Sequence, residues 1–148
     1  MPKKSTIERA TKAKRQGKSA STQAGEFVHE EIEEIRQGKH GARSAKQAIA
    51  IGLSKARRAG VDLKPPKKGT TSEKTRKAAE SAYEKGRQKA PINRKRSEAS
   101  TKALKKESRS AASHEALSRQ AKAAAKKRTA TSRSAAAKKA ARTRAKSS

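Results

Sequence analysis

Bulky apolar residues recur at helical spacing in two stretches of this sequence, residues 22–37 and 44–59, and are scarce elsewhere. At about 100° per residue, the apolar residues of each stretch fall on a single arc. Ser21 or Thr22 can cap the first helix, Ser44 can cap the second, and a glycine follows each. Because the two helices can bury their apolar arcs only against each other, the pattern predicts an αα-hairpin. The predicted hairpin core consists of Phe27, Val28, Ile32, Ile35, Ile49 and Leu53.

One charged residue, Glu31, falls inside the apolar arc of the first helix. A carboxylate in that place needs a basic partner, either from the second helix or from another subunit. A lone pair of helices of this size is only marginally stable. The sequence therefore leaves open a homodimer in which two hairpins form a four-helix arrangement.

Gly, Pro and Ser residues divide the chain into four segments. We predict a basic N-terminal arm at residues 1–20, in which little can be buried, and the helical hairpin at residues 21–63. Residues 64–92 form a stiff linker followed by a short Ala-rich helix. Residues 93–148 form a Lys/Arg/Ala/Ser-rich tail, helical or disordered. Its basic residues change face near residues 129–132, which predicts two shorter helices with a hinge.

The amino-acid composition limits how much of the chain can form a hydrophobic core. Only 30% of the 148 residues are hydrophobic and 1% are aromatic, and burial of the many alanines stabilises far less than burial of leucine or phenylalanine. Ordering the chain costs about 1–2 kcal/mol per residue. We therefore predict an all-α fold, in which a small hairpin is joined by further Ala/Lys-rich helices and by extended, partly disordered basic arms, without a large core.

The charge balance is strongly positive and indicates a polyanionic partner. The chain has 41 Lys and Arg against 13 Asp and Glu, a formal net charge of +28, and a pI near 11.2. Nucleic acid is the commonest partner of such a chain, and an anionic membrane surface is the next. No apolar run approaches the roughly 20 residues of a membrane-spanning helix, so we predict no membrane insertion. The N-terminal sequence lacks an apolar export signal, which predicts a cytoplasmic protein.

The candidate nucleic-acid-binding residues lie on the second helix of the hairpin and in the tail. On the helix, the basic residues occupy the arc beside the apolar stripe and its far edge. Beyond Glu115 the tail contains no acidic residue. The predicted contacts to phosphate are Arg43, Lys46, Lys55, Arg57, Arg58, Arg119, Lys122, Lys126, Lys127, Arg128, Arg133, Lys138, Lys139, Arg142, Arg144 and Lys146.

Other chemistry is weakly represented. His29 and the glutamates after it resemble part of a zinc-protease helix, but the second histidine of that motif is missing and His40 lies beyond the turn. We predict no metal site, no cofactor and no enzymatic activity, because no catalytic triad or acid/base pair can be identified. The glutamates of the first helix could still hold a divalent cation, or could attract the protein's own basic segments. They are Glu26, Glu30, Glu31, Glu33 and Glu34.

Two resemblances to known proteins extend this interpretation. The C-terminal third resembles in composition the Lys/Ala-rich tails of linker histones and of bacterial histone-like proteins, which implies compaction of chromatin or of the bacterial nucleoid. Most of the chain resembles a family of small basic bacterial proteins of uncharacterised function. The residues that carry this resemblance are STQAGEFVHEEIEEIRQGKHGARSAKQAIAIGLSKARRAGV, PPKKGTTSEKTRK and SRSAASHEALSRQAKAAAKKR.

The leading hypothesis is a nucleoid-associated, histone-like protein that binds the DNA phosphate backbone with little sequence specificity. RNA is a second partner that the sequence leaves open. Alternatives are a protein-interaction module tethered to polyanions, a ribosome-associated basic protein, and a basic protein without a dedicated role. The glutamates of the first helix also suggest autoinhibition, in which an acidic helix face binds the basic tail until DNA displaces it.

Overall fold

The computed structural model describes residues 2–147, which form α-helices, one short 3₁₀ helix and the turns that connect them. In chain order the elements are α1 (Lys4–Arg15), α2 (Ala20–Arg36), α3 (Ala45–Arg58), α4 (Glu73–Arg87), α5 (Arg94–Leu104), the 3₁₀ helix (Arg109–Ala112), α6 (His114–Lys126) and α7 (Ala130–Ser147). No strand occurs within this described range, which confirms the predicted all-α class. The chain divides into an N-terminal unit that ends at Ser113 and a C-terminal unit that begins at His114.

The predicted αα-hairpin is present as α2 and α3, which pack against each other. Ser44 caps α3 as expected, since its Oγ accepts a hydrogen bond from the backbone N–H of Gln47 at 3.1 Å. The cap of α2 is Ser19 rather than Ser21 or Thr22, because α2 begins two residues earlier than predicted and Ser19 Oγ accepts from the Thr22 N–H. The hairpin therefore begins slightly earlier than the sequence pattern indicated, and α3 is slightly shorter.

A close approach of the two helix backbones explains why the apolar stripe of α3 contains a glycine. A Cβ atom added to Gly52 would lie 2.6 Å from the Cα of Val28 on α2, closer than real side-chain contacts. Of the predicted core residues, Phe27, Ile32 and Ile35 are buried. The other three are half-buried, because α3 meets α2 mainly through glycine and alanine; they are Val28, Ile49 and Leu53.

The N-terminal arm is a helix packed on α2, which corrects the expectation that little of it is buried. One side of α1 is a narrow stripe of small buried residues, namely Thr6, Ala10 and Ala13. Ala10 belongs to the same apolar cluster as Phe27 and Val61. Small side chains bury little area each, yet they let helix axes come close together, so a stripe of this kind supports packing that a search for bulky residues does not detect.

The short helix after the linker, α4, packs on α3 through a second stripe of small residues. Ala79, Ala82 and Gly86 are buried. Gly86 lies within α4 instead of following it, and a Cβ atom added there would collide with the carbonyl oxygen of Arg57. With α1 on α2 and α4 on α3, the hairpin is not a lone helix pair, and the physical reason for invoking a homodimer no longer applies.

The chain between α5 and α6 returns to the hairpin turn. The N–H of Gly41 donates to the carbonyl oxygen of Leu104 at 2.9 Å, and the N–H of Ala42 donates to that of Ser108 at 3.0 Å. Ala112 is buried, and its carbonyl oxygen accepts from Arg36 Nε at 2.9 Å. The segment predicted to begin a separate tail at residue 93 is therefore part of the N-terminal unit up to Ser113.

The C-terminal unit consists of α6 and α7, and neither helix contains a buried residue. The expected partly disordered arms receive no support, because α1, α6 and α7 are all helical. Alanine, lysine and arginine have high helix propensity. These segments therefore form helices although they contain few bulky apolar residues. The break between α6 and α7 falls at residues 127–129, beside the predicted hinge. No helix within residues 2–147 is long and apolar enough to cross a membrane.

Candidate nucleic-acid interface

The basic residues of α3 and its N-terminal flank, which the sequence pattern assigned to one phosphate-binding face, fall into two groups that differ in exposure. Arg43 and Lys46 are exposed and Arg58 is half-buried. Lys55 and Arg57, in contrast, point into contacts within the N-terminal unit. Only the first group keeps its charged groups accessible to a phosphate.

Lys55 forms a bridge from α3 to α2. Its Nζ lies 2.6 Å from Oε2 of Glu31 and 3.4 Å from Oε2 of Glu34. Burial alone would lower the pKa of Lys55, but its hydrogen bonds to the two carboxylates and their negative charges outweigh burial and raise that pKa. The second helix thus supplies the basic partner predicted for Glu31. Because the long side chain of Lys55 extends to these two carboxylates, its charge is not directed towards a phosphate.

Arg57 holds the chain that follows α3. Its Nε donates to the carbonyl oxygen of Leu63 at 3.0 Å, and its Nη2 donates to that of Lys64 at 3.4 Å. Burial lowers the pKa of the Arg57 guanidinium. Periodicity placed Arg57 on the basic face, but the chain after Gly60 folds back over it, so this side chain does not face an approaching polyanion.

The glutamates of α2 form ion pairs or hydrogen bonds with groups of the same unit. Arg9 Nε lies 2.7 Å from Oε2 of Glu26, and the backbone N–H of Lys3 donates to Oε1 of Glu30 at 2.8 Å. Glu33 pairs with a neighbouring arginine of α2, with 3.3 Å between the charged atoms. Residues 26–34 therefore do not present the unpaired acidic face that the autoinhibition hypothesis requires, and Glu30 is buried.

The predicted basic residues of the C-terminal unit are all exposed. On α6, Arg119, Lys122 and Lys126 follow one another at spacings of three and four residues, which places them on one face. Arg128 donates to Ser132 Oγ at 3.0 Å across the break between the helices. The exposed set on this unit is Arg119, Lys122, Lys126, Lys127, Arg128, Arg133, Lys138, Lys139, Arg142, Arg144 and Lys146.

The dimensions of these helices suit contact with a nucleic-acid backbone. The 18 residues of α7 span about 27 Å, a length of roughly eight base pairs of duplex DNA. Against the eleven lysines and arginines of the unit stands a single acidic residue, Glu115. These helices can therefore interact with a phosphate backbone through charge.

The N-terminal unit contains a basic cleft that sequence reasoning missed. It has a volume of about 690 Å³ and lies between the hairpin turn and the segment that follows α5. Lys39, Lys105 and Arg109 contribute its positive charge, and Glu107 opposes them. Nothing in the sequence pattern shows that residues 105–109 return to the turn, so the cleft could not have been predicted.

A group of metal-ligand types also comes together at this turn, although the sequence predicted no metal site. Glu31, Glu34 and His40 each place one ligand atom within 4.8 Å of the others. The signal was present in the sequence only as separate residues, because His40 reaches the glutamates after the chain has turned at the end of α2.

Comparison with known proteins gives one match. Residues 4–68 match the model of a family of unknown function, DUF6496. The matched stretch contains α1, α2, α3 and most of the linker to α4. For this stretch, the resemblance to an uncharacterised family is confirmed. No curated protein and no solved structure matches the chain.

Proposed function

We propose that this protein is a non-enzymatic nucleic-acid-binding protein that contacts the DNA phosphate backbone with little sequence specificity, as histone-like and nucleoid-associated proteins do. The observation that carries the proposal is the C-terminal unit, in which two helices without a buried residue and the turn between them expose eleven lysines and arginines. Localisation to a bacterial nucleoid is part of the proposal.

Counterion release supplies the driving force. A protein that neutralises Z phosphates of duplex DNA releases their condensed counterions, and log K falls with log salt at a slope of about −0.9Z. If the C-terminal unit and the exposed residues beside α3 together contact about 6–10 phosphates, affinity falls by roughly 10³–10⁵ between about 50 and 200 mM salt.

The scarcity of exposed aromatic residues favours duplex DNA over single-stranded DNA as the ligand. Proteins that bind single strands stack bases on exposed aromatic side chains. The chain has one Phe, one Tyr and no Trp. Phe27 is 1% exposed, and the hydroxyl of Tyr83 donates a hydrogen bond to Asp62. A stacking platform is therefore lacking in residues 2–147, and backbone contact is the mode that the charge supports.

The test is a salt titration of the full chain with duplex DNA, single-stranded DNA and duplex RNA of equal length. We expect duplex DNA to bind with a slope between about −5 and −9, and with the same affinity for unrelated sequences. Single-stranded DNA should bind more weakly. A preference for duplex RNA would support the ribosome-associated alternative, and a slope near zero for every probe would refute the proposal.

A further inference from the structure

Glu31, Glu34 and His40 bring three potential ligand atoms for a cation together near the end of α2. Nε2 of His40 lies 3.0 Å from Oε1 of Glu31 and 3.9 Å from Oε2 of Glu34. Neighbouring ligand atoms of an ion bound at about 2.0–2.2 Å lie roughly 3 Å apart. The first separation already has this value, and a small rotation of the Glu34 side chain brings the second close to it.

The buried carboxylate of Glu31 has one oxygen without a hydrogen-bond donor. The side chain is fully buried, and while Lys55 bonds Oε2, Oε1 accepts no hydrogen bond. A buried charged oxygen without a partner is costly. This oxygen faces His40, so a cation placed between them would satisfy it.

The Nδ1 side of the His40 ring is held by the backbone, as it is in many metal-binding histidines. Its Nδ1 lies 2.9 Å from the carbonyl oxygen of Gly41, which can only accept, so Nδ1 carries the proton. In the neutral ring Nε2 then has a free lone pair, and this nitrogen lies 3.0 Å from Oε1 of Glu31. Two electron-rich atoms at this separation repel each other unless a proton or a cation is shared between them. Metal-binding histidines are commonly held by such a bond from the other ring nitrogen to a carbonyl oxygen.

We infer that Glu31, Glu34 and His40 bind a divalent transition-metal ion of the Zn²⁺ type. One imidazole nitrogen with carboxylate oxygens suits Zn²⁺ better than Mg²⁺ or Ca²⁺, which prefer oxygen ligands alone. His40 also lines the basic cleft. The ion would tie the hairpin turn to α2, a structural role independent of nucleic-acid binding.

Two lysines set the expected affinity. Lys55 remains on the other oxygen of Glu31, and Lys39 Nζ lies 3.8 Å from Oε1 of Glu34. Their positive charges offset the two carboxylates and weaken cation binding. Lys39 is exposed and can be replaced without disturbing the core, so Lys39→Gln should bind Zn²⁺ more tightly than the unmodified chain.

Calorimetric titration of the full-length protein with zinc chloride tests the inference, and the three histidines of the chain provide matched controls. We expect one ion per chain, an affinity lowered by more than about 100-fold in His40→Gln, and unchanged affinity in His29→Gln and His114→Gln. His29 and His114 are exposed. Binding that survives His40→Gln, or the lack of saturable binding to the unmodified chain, would overturn the inference.

A second measurement uses the unmodified chain, so its result does not depend on whether His40→Gln folds correctly. Imidazole proton resonances report each histidine separately, and the His29→Gln and His114→Gln spectra assign them. Zinc should shift the His40 signals and leave the other two unchanged. If the His40 signals do not move at a zinc concentration that saturates the calorimetric signal, the ion binds elsewhere and the site is wrong.

Discussion

Lys55 of α3 donates a hydrogen bond to Glu31 of α2 at 2.6 Å, and the Glu31 carboxylate it contacts is fully buried. This pair links the two helices of the hairpin at a position where the apolar arc of α2 would otherwise be interrupted by an uncompensated charge. It also engages within the unit one of the lysines that sequence periodicity assigned to phosphate binding.

The Lys55–Glu31 pair predicts a pattern of stability changes. Lys55→Met leaves a buried carboxylate without its partner and should lower the free energy of unfolding by about 1–3 kcal/mol. Adding Glu31→Gln should recover part of that loss. Lys46→Met, an exposed change on the same helix, should stay within about 0.5 kcal/mol. Urea unfolding in the presence of a metal chelator measures all three, and equal losses at residues 55 and 46 would contradict the pairing.

Two helical glycines should respond in opposite directions to alanine. A Cβ at Gly52 meets the backbone of Val28, whereas a Cβ at Gly25 meets nothing within 4 Å. Gly52→Ala should therefore destabilise the fold by about 1–3 kcal/mol through overpacking. Gly25→Ala should stabilise it by about 0.5–1 kcal/mol through helix propensity. The comparison uses midpoints of thermal or urea unfolding, and a gain from Gly52→Ala would show that α2 and α3 do not approach so closely.

The single tyrosine of the chain should titrate above its usual range. The hydrogen bond from its hydroxyl to Asp62 raises the pKa of Tyr83, with further contributions from burial and the Asp62 charge. Because the folded-state pKa lies above the unfolded value, this bond stabilises the fold at pH values below the unfolded pKa. The contribution is lost as the pH rises through the folded pKa. Ultraviolet absorbance of tyrosinate follows the titration, and Asp62→Asn should lower the midpoint. An unchanged midpoint would exclude the contact.

Arg57 and Arg43 should separate stability from nucleic-acid binding. Arg57→Gln loses two hydrogen bonds to carbonyl oxygens and should cost about 1–2 kcal/mol of stability without altering the salt dependence of DNA binding. Arg43→Gln should leave stability unchanged and reduce the salt slope by up to about 0.9. Unfolding curves and salt titrations of both variants distinguish the roles. If Arg57→Gln reduced the salt slope and left stability unchanged, Arg57 would contact phosphate after all.

The hairpin was predictable because its bulky residues obey the helical period. Phe27, Ile32 and Ile35 mark the core of α2, and the position of Glu31 among them implies the partner that Lys55 supplies. Ser44 marks the start of α3 by an ordinary capping signal. In each case the signal lies within one short stretch of sequence. The requirement to bury an apolar residue, pair a buried charge or cap a helix end can be met in few ways.

The packing of α1 and α4 was not predictable in the same way. Their contact stripes consist of alanine, threonine and glycine, residues such as Ala10 and Gly86, which occur throughout this chain and carry no distinctive period. The contact of Gly41 with Leu104 joins residues far apart in sequence. The meeting of His40 with Glu31 likewise depends on the path of the turn, and the withdrawal of Arg57 depends on the path of the chain after α3.

The most direct test of the proposed function compares two sets of four charge removals in full-length protein. One set lies in the C-terminal unit and the other on exposed positions of α1, so both lower the net charge equally. The first set is Lys122→Gln, Lys126→Gln, Lys138→Gln and Arg142→Gln. The second set is Lys4→Gln, Lys12→Gln, Lys14→Gln and Arg15→Gln.

The salt slope of duplex DNA binding is the deciding measurement. If α6 and α7 contact the phosphates, the first set should make the slope shallower by about 3 to 4, since each lost contact removes about 0.9. The second set should change it by less than about 1. Equal changes for the two sets would mean that only net charge matters, and would contradict a dedicated interface on the C-terminal unit.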